Sequence, residues 1–212
     1  MIDPDSEPPR LNQEKLTLVN KIAMYMVNSK SIGAPIILAY GAHLVKNGCA
    51  PILIRLMEMG YVQQLLTNGA GIIHDFEFAY IGKSEEDVRM YLKEGQFGLW
   101  DETGKYLNQA IKLGSEMNLG LGESVGKMIF EERLDHKSIK FPYKMYSIAG
   151  KAYELSIPIS SCVGIGYDII NTHPECDGAA LGKTSYTDFL IFAESVKNLQ
   201  NGTFLSIGSA IM

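Results

Sequence analysis

Two stretches of the sequence share one pattern: a short apolar run, a turn of small residues and then a histidine. They occupy residues 36–48 and 65–75. Each apolar run is short and continuous, as expected of a strand that is covered on both faces of a parallel sheet. Each turn leads into a predicted helix. In open parallel sheets, ligands bind at the turns that follow the carboxyl ends of the strands. The pattern therefore predicts both an α/β fold and the edge of the sheet where a site lies.

The rest of the chain extends this alternation. Residues 1–10, with three prolines, are predicted to be an extended N-terminal arm, and residues 11–212 to form a single domain that opens with an amphipathic helix over 11–30. Further strands are predicted at 157–163 and 203–207, with a helix over 186–199 between them. Alternating strands and helices imply an open, mostly parallel sheet with helices on both faces, Rossmann-like, and right-handed crossovers bring all strand exits to one edge. Because a last strand normally leads into a covering helix, we expect the fold to be incomplete at its C-terminus.

Composition excludes several classes of function. The formal charge of −5 argues against non-specific nucleic-acid binding, which requires clustered basic residues. No apolar run reaches the length of about 18 residues that suggests a membrane span, and the N-terminus does not resemble a signal peptide. The three cysteines are widely spaced and form no CxxC motif, which favours a reducing, cytoplasmic location. Glycines at 120, 122 and 126 have the spacing GxGxxxG without a clear preceding strand, and predict a turn between helices rather than a dinucleotide loop.

Small and polar residues follow each predicted strand end. Glycine lets a ligand approach backbone N–H groups, helix N-termini favour phosphate, and acidic residues bind ribose hydroxyls or a cationic substrate. The residues after the four strands are, in chain order, Gly41, Ala42, His43 and Lys46; Asn68, Gly69, Ala70, Gly71, His74 and Asp75; Asp168, His173 and Asp177; and Gly208 and Ser209.

Several of these residues also have a purely structural interpretation. His43 and His74 could bond to backbone near helix N-termini, and His173 could order a loop. The acids at 75 and 177 could cap helices or turns. Asp168 is expected to anchor its loop, and Glu77 to be solvated. A zinc site from the three histidines would suit the chemistry, but common zinc motifs pair their ligands locally, so no metal is predicted.

Four ordered segments, at 41–48, 67–75, 176–182 and 207–210, resemble segments of deoxyhypusine synthase, most closely its bacterial deoxyhypusine-synthase-like branch. The resemblance implies an NAD-binding α/β fold and a homotetramer. It also implies a reaction in which NAD oxidises spermidine, or a related amine, and an aminobutyl group moves to a protein lysine or amine acceptor. The NAD-binding residues that it implies are Ala42, His43, Leu44, Val45, Lys46, Asn68, Gly69, Ala70, His74, Asp177 and Gly208.

The sequence departs from this family at the substrate site. Ile73 and His74 stand where the family has two spermidine-contacting glutamates, and Lys183 stands near a third acid. The family's catalytic lysine has no counterpart here, which leaves His74 as the catalytic candidate. Two alternatives stay open: a non-catalytic NAD- or nucleotide-binding homologue that has lost the polyamine-binding acids, and a metal-assisted hydrolase using His43, His74 and His173. The expected partners are a small amine and further copies of the chain, with no nucleic acid and no membrane.

Overall fold

A computed structural model describes residues 1–84, 86–166 and 168–208; Ser209, predicted at the fourth strand exit, lies outside them. The main elements, in chain order, are α1 (Gln13–Ser31), β1 (Ile36–Tyr40), α2 (Ala42–Lys46), α3 (Ala50–Glu58), β2 (Gln64–Asn68), α4 (Gly69–Ile81), α5 (Val88–Tyr91), α6 (Asp101–Met117), α7 (Leu121–Glu131), β3 (Arg133–Leu134), β4 (Lys137–Ser138), α8 (Ile148–Glu154), β5 (Ile159–Cys162), α9 (Gly178–Lys197) and β6 (Thr203–Ile207). Among the described residues, no helix is long and apolar enough to cross a membrane.

Four strands form one parallel sheet in the order β5-β2-β1-β6. Leu38 of β1 lies in register between Leu65 of β2 and Leu205 of β6. Because all four strands run in the same direction, their carboxyl ends share one edge, as the sequence predicted. The prediction of an α/β fold with a Rossmann-like parallel sheet is confirmed at this level of description.

Helices cover the centre of the sheet on both faces. All five residues of β1 are buried, although successive side chains in a strand point to opposite faces. Leu38 and Tyr40 join the main core, which includes residues of α4, α6, α7 and α8. Helix α1 contacts β1 and β6, and α9 contacts β5 and β2. The apolar, non-alternating sequence of β1 follows directly from this double coverage.

The core-facing side of α4 fixes that helix in place. Phe76 is fully buried, stacks on Tyr80 at 5.6 Å and meets the edge of Phe141 at 5.8 Å between ring centroids. Asp75, also fully buried, accepts hydrogen bonds from the backbone N–H groups of Ile148 (2.7 Å) and Ala149 (3.1 Å) at the start of α8. Aromatic packing and a buried carboxylate cap therefore set the rotation of α4 about its axis.

Local contacts set the bounds of three helices, and the predicted start of the last helix at 186 was wrong. Helix α4 begins at Gly69, because the Asn68 side chain accepts from the N–H of Gly71 and caps the helix directly at the strand end. Helix α6 continues through Gly114, where a Cβ would overlap Ser124 of α7. Helix α9 begins at Gly178, capped by Asp177, instead of at 186. The turn between helices predicted at the glycines 120, 122 and 126 falls at 118–120, whereas Gly122 and Gly126 lie inside α7.

Candidate functional site

A cavity of 470 Å³ opens at the carboxyl edge of the sheet, beside the first two turns of α4. Its volume lies within the range of small-molecule sites. One wall is a single stripe of α4, with Ala70, Ile73, His74 and Glu77 at the i, i+3, i+4, i+7 spacing that brings residues onto one helical face. The remaining lining residues are Lys46, Glu86, Val88, Phe97, Gly98, Asp168 and Ile169.

Glu77 is held in this wall by hydroxyl donors. Thr103 Oγ1 donates to Glu77 Oε1 at 3.0 Å, and Ser84 Oγ donates to Glu77 Oε2 at 2.5 Å. His74 Nδ1 bonds to the same Ser84 hydroxyl and lies 3.7 Å from Glu77 Oε2. Burial by itself would raise the pKa of Glu77, but the hydrogen bonds and the nearby imidazole outweigh burial and hold that pKa below its usual value. The side chain is therefore a buried, ionised carboxylate.

Asp168 closes the cavity at the N-terminus of α4. A Cβ at Gly69 would overlap its carboxylate, so only glycine allows the 168 loop to come this close to the helix. The N–H of Gly164 donates to Asp168 Oδ2 at 3.1 Å, and Asn171 Nδ2 donates to the carbonyl of Gly164 at 3.0 Å. Burial raises the pKa of Asp168. The loop is thus anchored by Asp168, as expected, but the same carboxylate also belongs to the candidate site.

The third wall comes from the segment after α4. The N–H of Gly98 donates to Glu86 Oε2 at 2.9 Å, which joins the two ends of this segment. Val88 and Phe97 add apolar surface. Glu77, Glu86 and Asp168 thus place three carboxylates around a cavity whose lining has one lysine, Lys46. Such a lining attracts a cation.

The predicted site residues separate into three groups. Lys46, Ala70, Ile73 and His74 line the cavity. Asn68 and Gly69 form the capped start of α4, and Gly208 lies against the turn before α2, where its Cβ would be 3.2 Å from the Leu44 nitrogen. The other predicted residues are elsewhere: the core holds Ala42, Leu44 and Val45, and the surface holds His43, Asp177 and Lys183.

Two of these surface residues have structural partners. Asp177 Oδ1 accepts from the N–H groups of Ala179 (2.9 Å) and Ala180 (3.1 Å), and so caps α9. Lys183 Nζ donates to the carbonyl of Ser115 at 2.6 Å. Asp75 points into the core, away from the edge where the sequence placed it. Contacts within the protein therefore explain the positions of Asp177, Lys183 and Asp75, and no ligand is needed to explain them.

His173 has both ring nitrogens engaged. Its Nδ1 accepts from the N–H of Glu175 at 3.0 Å, which leaves Nε2–H to donate to Asp101 Oδ1 at 3.2 Å. The ring also packs where a Cβ of Gly104 would stand. His173 therefore orders its loop against α6. Within the described parts of the chain, no group of three or more His, Cys, Asp or Glu side chains is arranged to hold a metal ion.

One acid of the cavity, Glu86, was not predicted from the sequence, and the environment of another, Glu77, was predicted wrongly. Glu77 was expected to be solvated, yet it is 8% exposed. A signal was available, because Glu77 lies three residues after His74 on the same predicted helix and thus on the same face. Glu86 and Phe97 gave no such signal, since they fall in a segment without hydrophobic periodicity.

No protein-family model matches the chain, and no curated protein matches it. Solved structures do share its fold. The apo structure of ArgZ, an arginine dihydrolase from the ornithine–ammonia cycle in cyanobacteria, matches 93% of this chain with 18% identity and a TM-score of 0.55. A variant of AgrE bound to L-arginine matches 95% at 18% identity and a TM-score of 0.58. AgrE in ternary complex with ornithine and NAD⁺ matches 95% at 17% identity and a TM-score of 0.56. The chain spans only 24–26% of the length of these proteins.

These findings correct the assignment to deoxyhypusine synthase. The prediction of aminobutyl transfer from spermidine is wrong, because the solved structures reported above as sharing this fold are those of ArgZ, an arginine dihydrolase, and of AgrE, and not of a deoxyhypusine synthase. The misleading segments are turns at strand exits, where parallel α/β folds generally need small residues. The three residues at the implied spermidine site are also not close together in the structure. Ile73 and His74 line the cavity, while Lys183 lies on the exposed side of α9. The predicted homotetramer and cytoplasmic location stay predictions. What the likeness to these proteins establishes is the α/β fold.

Proposed function

We propose that this chain is an NAD-linked α/β domain that binds a small basic amino acid of the ornithine class in the cavity beside α4. The observation that carries the proposal is the cavity lining, with three carboxylates at the carboxyl edge of a parallel sheet. This edge is where open α/β sheets bind their ligands. The proposal keeps the NAD of the sequence prediction and replaces spermidine with a shorter cationic ligand.

The lining suits a small ligand with ammonium groups. Removing an ammonium ion from water is costly unless carboxylates and hydrogen bonds compensate. Glu77 is ionised, and Glu86 and Asp168 lie in the same lining. Ile73, Val88 and Phe97 give an apolar surface for a short methylene chain. Charged and apolar surfaces therefore occur together, as an amino acid with a basic side chain requires.

The residues that would hold NAD are the small ones at the exits of β1 and β6. Gly208 has φ +102°, a conformation that favours glycine, and its Cβ would lie 3.5 Å from the Gly41 nitrogen. The two exits thus bring backbone close together beside α2, whose Lys46 lines the cavity. Asp168 already covers Gly69, so the diphosphate is assigned to the Gly41–Gly208 side. When bound there, NAD would supply hydride-transfer chemistry.

The choice of ligands is supported by one of the structural neighbours. AgrE, which shares the fold, has been solved with ornithine and NAD⁺ together. At 17% identity this likeness concerns the fold, and the ligand pair comes to this chain as a proposal. It nevertheless identifies which two small molecules to test first.

Calorimetric titration of the purified chain tests the proposal. We expect saturable binding of NAD⁺ and of ornithine, with ornithine binding weakened about tenfold or more by Glu77→Gln because the cavity loses one of the negative charges that offset the desolvation of an ammonium group. NAD⁺ binding should stay within about twofold in the same variant. Glu194→Gln, at an exposed position on α9, is the matched control. The proposal is wrong if NAD⁺ does not bind saturably, or if Glu77→Gln and Glu194→Gln bind ornithine equally well.

A further inference from the structure

We infer that the proton acceptor of this cavity is Nε2 of His74, and that Ser84 and Glu77 hold the imidazole in the tautomer that exposes this lone pair. The inference rests on the proposed function, because it assigns a role within the same cavity. It follows from counting the hydrogen atoms in a short series of hydrogen-bonded side chains. The series consists of His74, Ser84 and Glu77, and we call it the His74 relay.

Ser84 occupies the middle of the His74 relay. Its Oγ bonds to His74 Nδ1 on one side and lies 2.5 Å from Glu77 Oε2 on the other. A hydroxyl has one hydrogen, and an ionised carboxylate only accepts hydrogen bonds. Ser84 therefore donates its hydrogen to Glu77 and accepts from His74. Consequently Nδ1 carries the hydrogen, and in the neutral ring Nε2 carries the lone pair.

Glu77 fixes which groups donate and which accept hydrogen bonds in the His74 relay. Thr103 Oγ1 donates to the second carboxylate oxygen at 3.0 Å, so both oxygens of Glu77 accept hydrogen bonds from hydroxyl groups. A protonated Glu77 would have to reverse one of these bonds. The carboxylate also lies 3.7 Å from His74 Nδ1. The arrangement therefore keeps the hydrogen on Nδ1 and the lone pair on Nε2.

The ring lies where a ligand would meet it. His74 is on the α4 stripe that lines the cavity, with 17% of its side chain exposed. Among the described residues that line the cavity, the other charged side chains, apart from Glu77, are Lys46 from α2 and the carboxylates of Glu86 and Asp168. His173 differs, since both of its nitrogens are occupied within the chain. Of these two rings, the one in the cavity is therefore the one whose second nitrogen has no hydrogen bond to a residue that the structure describes.

The step assigned to His74 is a simple proton transfer. An N–H bond of the ligand ammonium group breaks, its electron pair stays on the amine nitrogen, and the proton forms a bond to Nε2. The products are a neutral amine and an imidazolium ion, so charge is conserved. An ammonium group has no lone pair, and any reaction that uses the amine nitrogen needs this step first. His74 is thus the proton acceptor, while Ser84 and Glu77 are positioning residues.

The tautomer is measurable without any ligand. Long-range ¹H–¹⁵N NMR above about pH 7.5, where an unperturbed imidazole is neutral, separates protonated from unprotonated ring nitrogens. We expect the His74 ring to carry its hydrogen on Nδ1. The His74 signals are those that disappear from the spectrum of His74→Gln. Ser84→Ala should produce a mixture of tautomers, and Ser84→Thr, which keeps the hydroxyl, should restore Nδ1–H. An Nε2–H tautomer for His74 in the unaltered chain would overturn the inference.

A second measurement separates the role of His74 from ligand binding. We expect His74→Gln to bind ornithine within about threefold of the unaltered chain. It should lose at least about 100-fold in ornithine-dependent NADH formation, in which NAD⁺ would take a hydride from the carbon that bears the neutral amine and leave an iminium ion, as expected for loss of a general base. Undiminished turnover in this variant would refute the inference while leaving the proposed function intact. Absence of ornithine and NAD⁺ binding would refute the proposed function, and the NMR result would still decide the tautomer.

Discussion

Two acids on α4, only two residues apart, do different work because they lie on different faces of the helix. Asp75 faces the core and accepts from Ser147 Oγ (2.6 Å) and from two backbone N–H groups of α8. Glu77 faces the cavity and accepts from Ser84 and Thr103. Burial raises the pKa of Asp75 to about 6 despite its hydrogen bonds, while the pKa of Glu77 is lowered. The role of each acid is thus set by what packs against its face.

The largest expected effect on stability comes from replacing Asp75, on the face of α4 that packs against the core. Asp75→Ala leaves the Ser147 hydroxyl and two buried N–H groups at the start of α8 without their acceptor, and should lower the free energy of unfolding by about 3–5 kcal/mol. Glu77→Ala, on the cavity face, should cost about 1–2 kcal/mol, since its partners are hydroxyls that can turn elsewhere. Urea unfolding of both variants measures the difference. Equal losses would mean that the two faces do not differ in this way.

The pH dependence of stability sharpens the same comparison. The folded pKa of Asp75 exceeds its ordinary value of 3.8, so the folded state binds this proton more tightly than the unfolded state. Its contribution to stability is therefore greatest below about pH 4 and is lost as pH rises to about 6; two pKa units correspond to about 3 kcal/mol. Asp75→Asn should reduce the loss of stability between those pH values by the share that Asp75 contributes, as measured in unfolding curves.

Two other acids with shifted pKa values bear on the pH dependence of stability in that experiment. Burial likewise raises the pKa of Asp188, to about 7, so the unaltered chain should continue to lose stability up to that pH. Glu77 has the opposite sign, because its lowered pKa gives a contribution that is lost only as pH falls through it. Glu77→Gln should therefore leave the slope between about pH 5 and 7 unchanged. A flattened slope in that variant would contradict the assignment.

The N-terminus of α4, where the two faces begin, predicts an intermediate effect. Gly69→Ala places a methyl group against the Asp168 carboxylate and should cost about 1–2 kcal/mol of stability. The double variant with Asp168→Ala should recover part of this loss, because the overlap is removed. Gly182→Ala is the matched control, since its Cβ meets nothing within 4 Å on α9 and should stabilise the helix by about 0.5–1 kcal/mol. Thermal unfolding measures all three, and an equal response at both glycines would count against the close approach.

The smallest effect concerns a third acid, at the start of α9. Asp177→Ala should cost about 1 kcal/mol as a lost helix cap, and Asp177→Ser, which keeps a capping oxygen, should cost little. We expect NAD⁺ affinity in Asp177→Ser to change by less than about twofold, because the capping contacts account for the acid. A tenfold loss of affinity (about 1.4 kcal/mol) would instead support a contact between Asp177 and the ribose of NAD⁺, as the sequence suggested.

The sheet was predictable because its signals are local. The run at 203–207 matches β6 residue for residue, and the stretch at 36–48 opens with β1. The carboxyl edge followed from parallel topology alone. The cavity did not follow, because its outer wall comes from Glu86, Phe97 and the 168 loop, which carry no periodicity and are positioned by contacts with distant residues. Asn108 of α6, for example, donates to the carbonyl of Ile170 at 2.9 Å.

Identification from the sequence failed for a related reason. The segments that suggested deoxyhypusine synthase follow strand ends, where close backbone packing restricts residue size. Gly71 illustrates this constraint, because a Cβ there would overlap Thr67 Oγ1 within the same turn. Similar glycine patterns therefore arise wherever a strand turns directly into a helix. Residues that face the cavity, such as Glu77, carry more information about the ligand than residues that shape the turn.

The buried cap that Asp75 provides for α8 also limits how this protein can respond to a ligand. A one-residue rotation of α4 turns its side chains by about 100°, which would withdraw the Asp75 carboxylate from all of its donors. The α4 wall is therefore preorganised, and ligand binding should incur little ordering entropy there. Adjustment to ligands of different length is left to the described residues on either side of the cavity, at 86–100 and 168–177. Ligand selectivity should consequently evolve by changes in those two segments while α4 stays fixed.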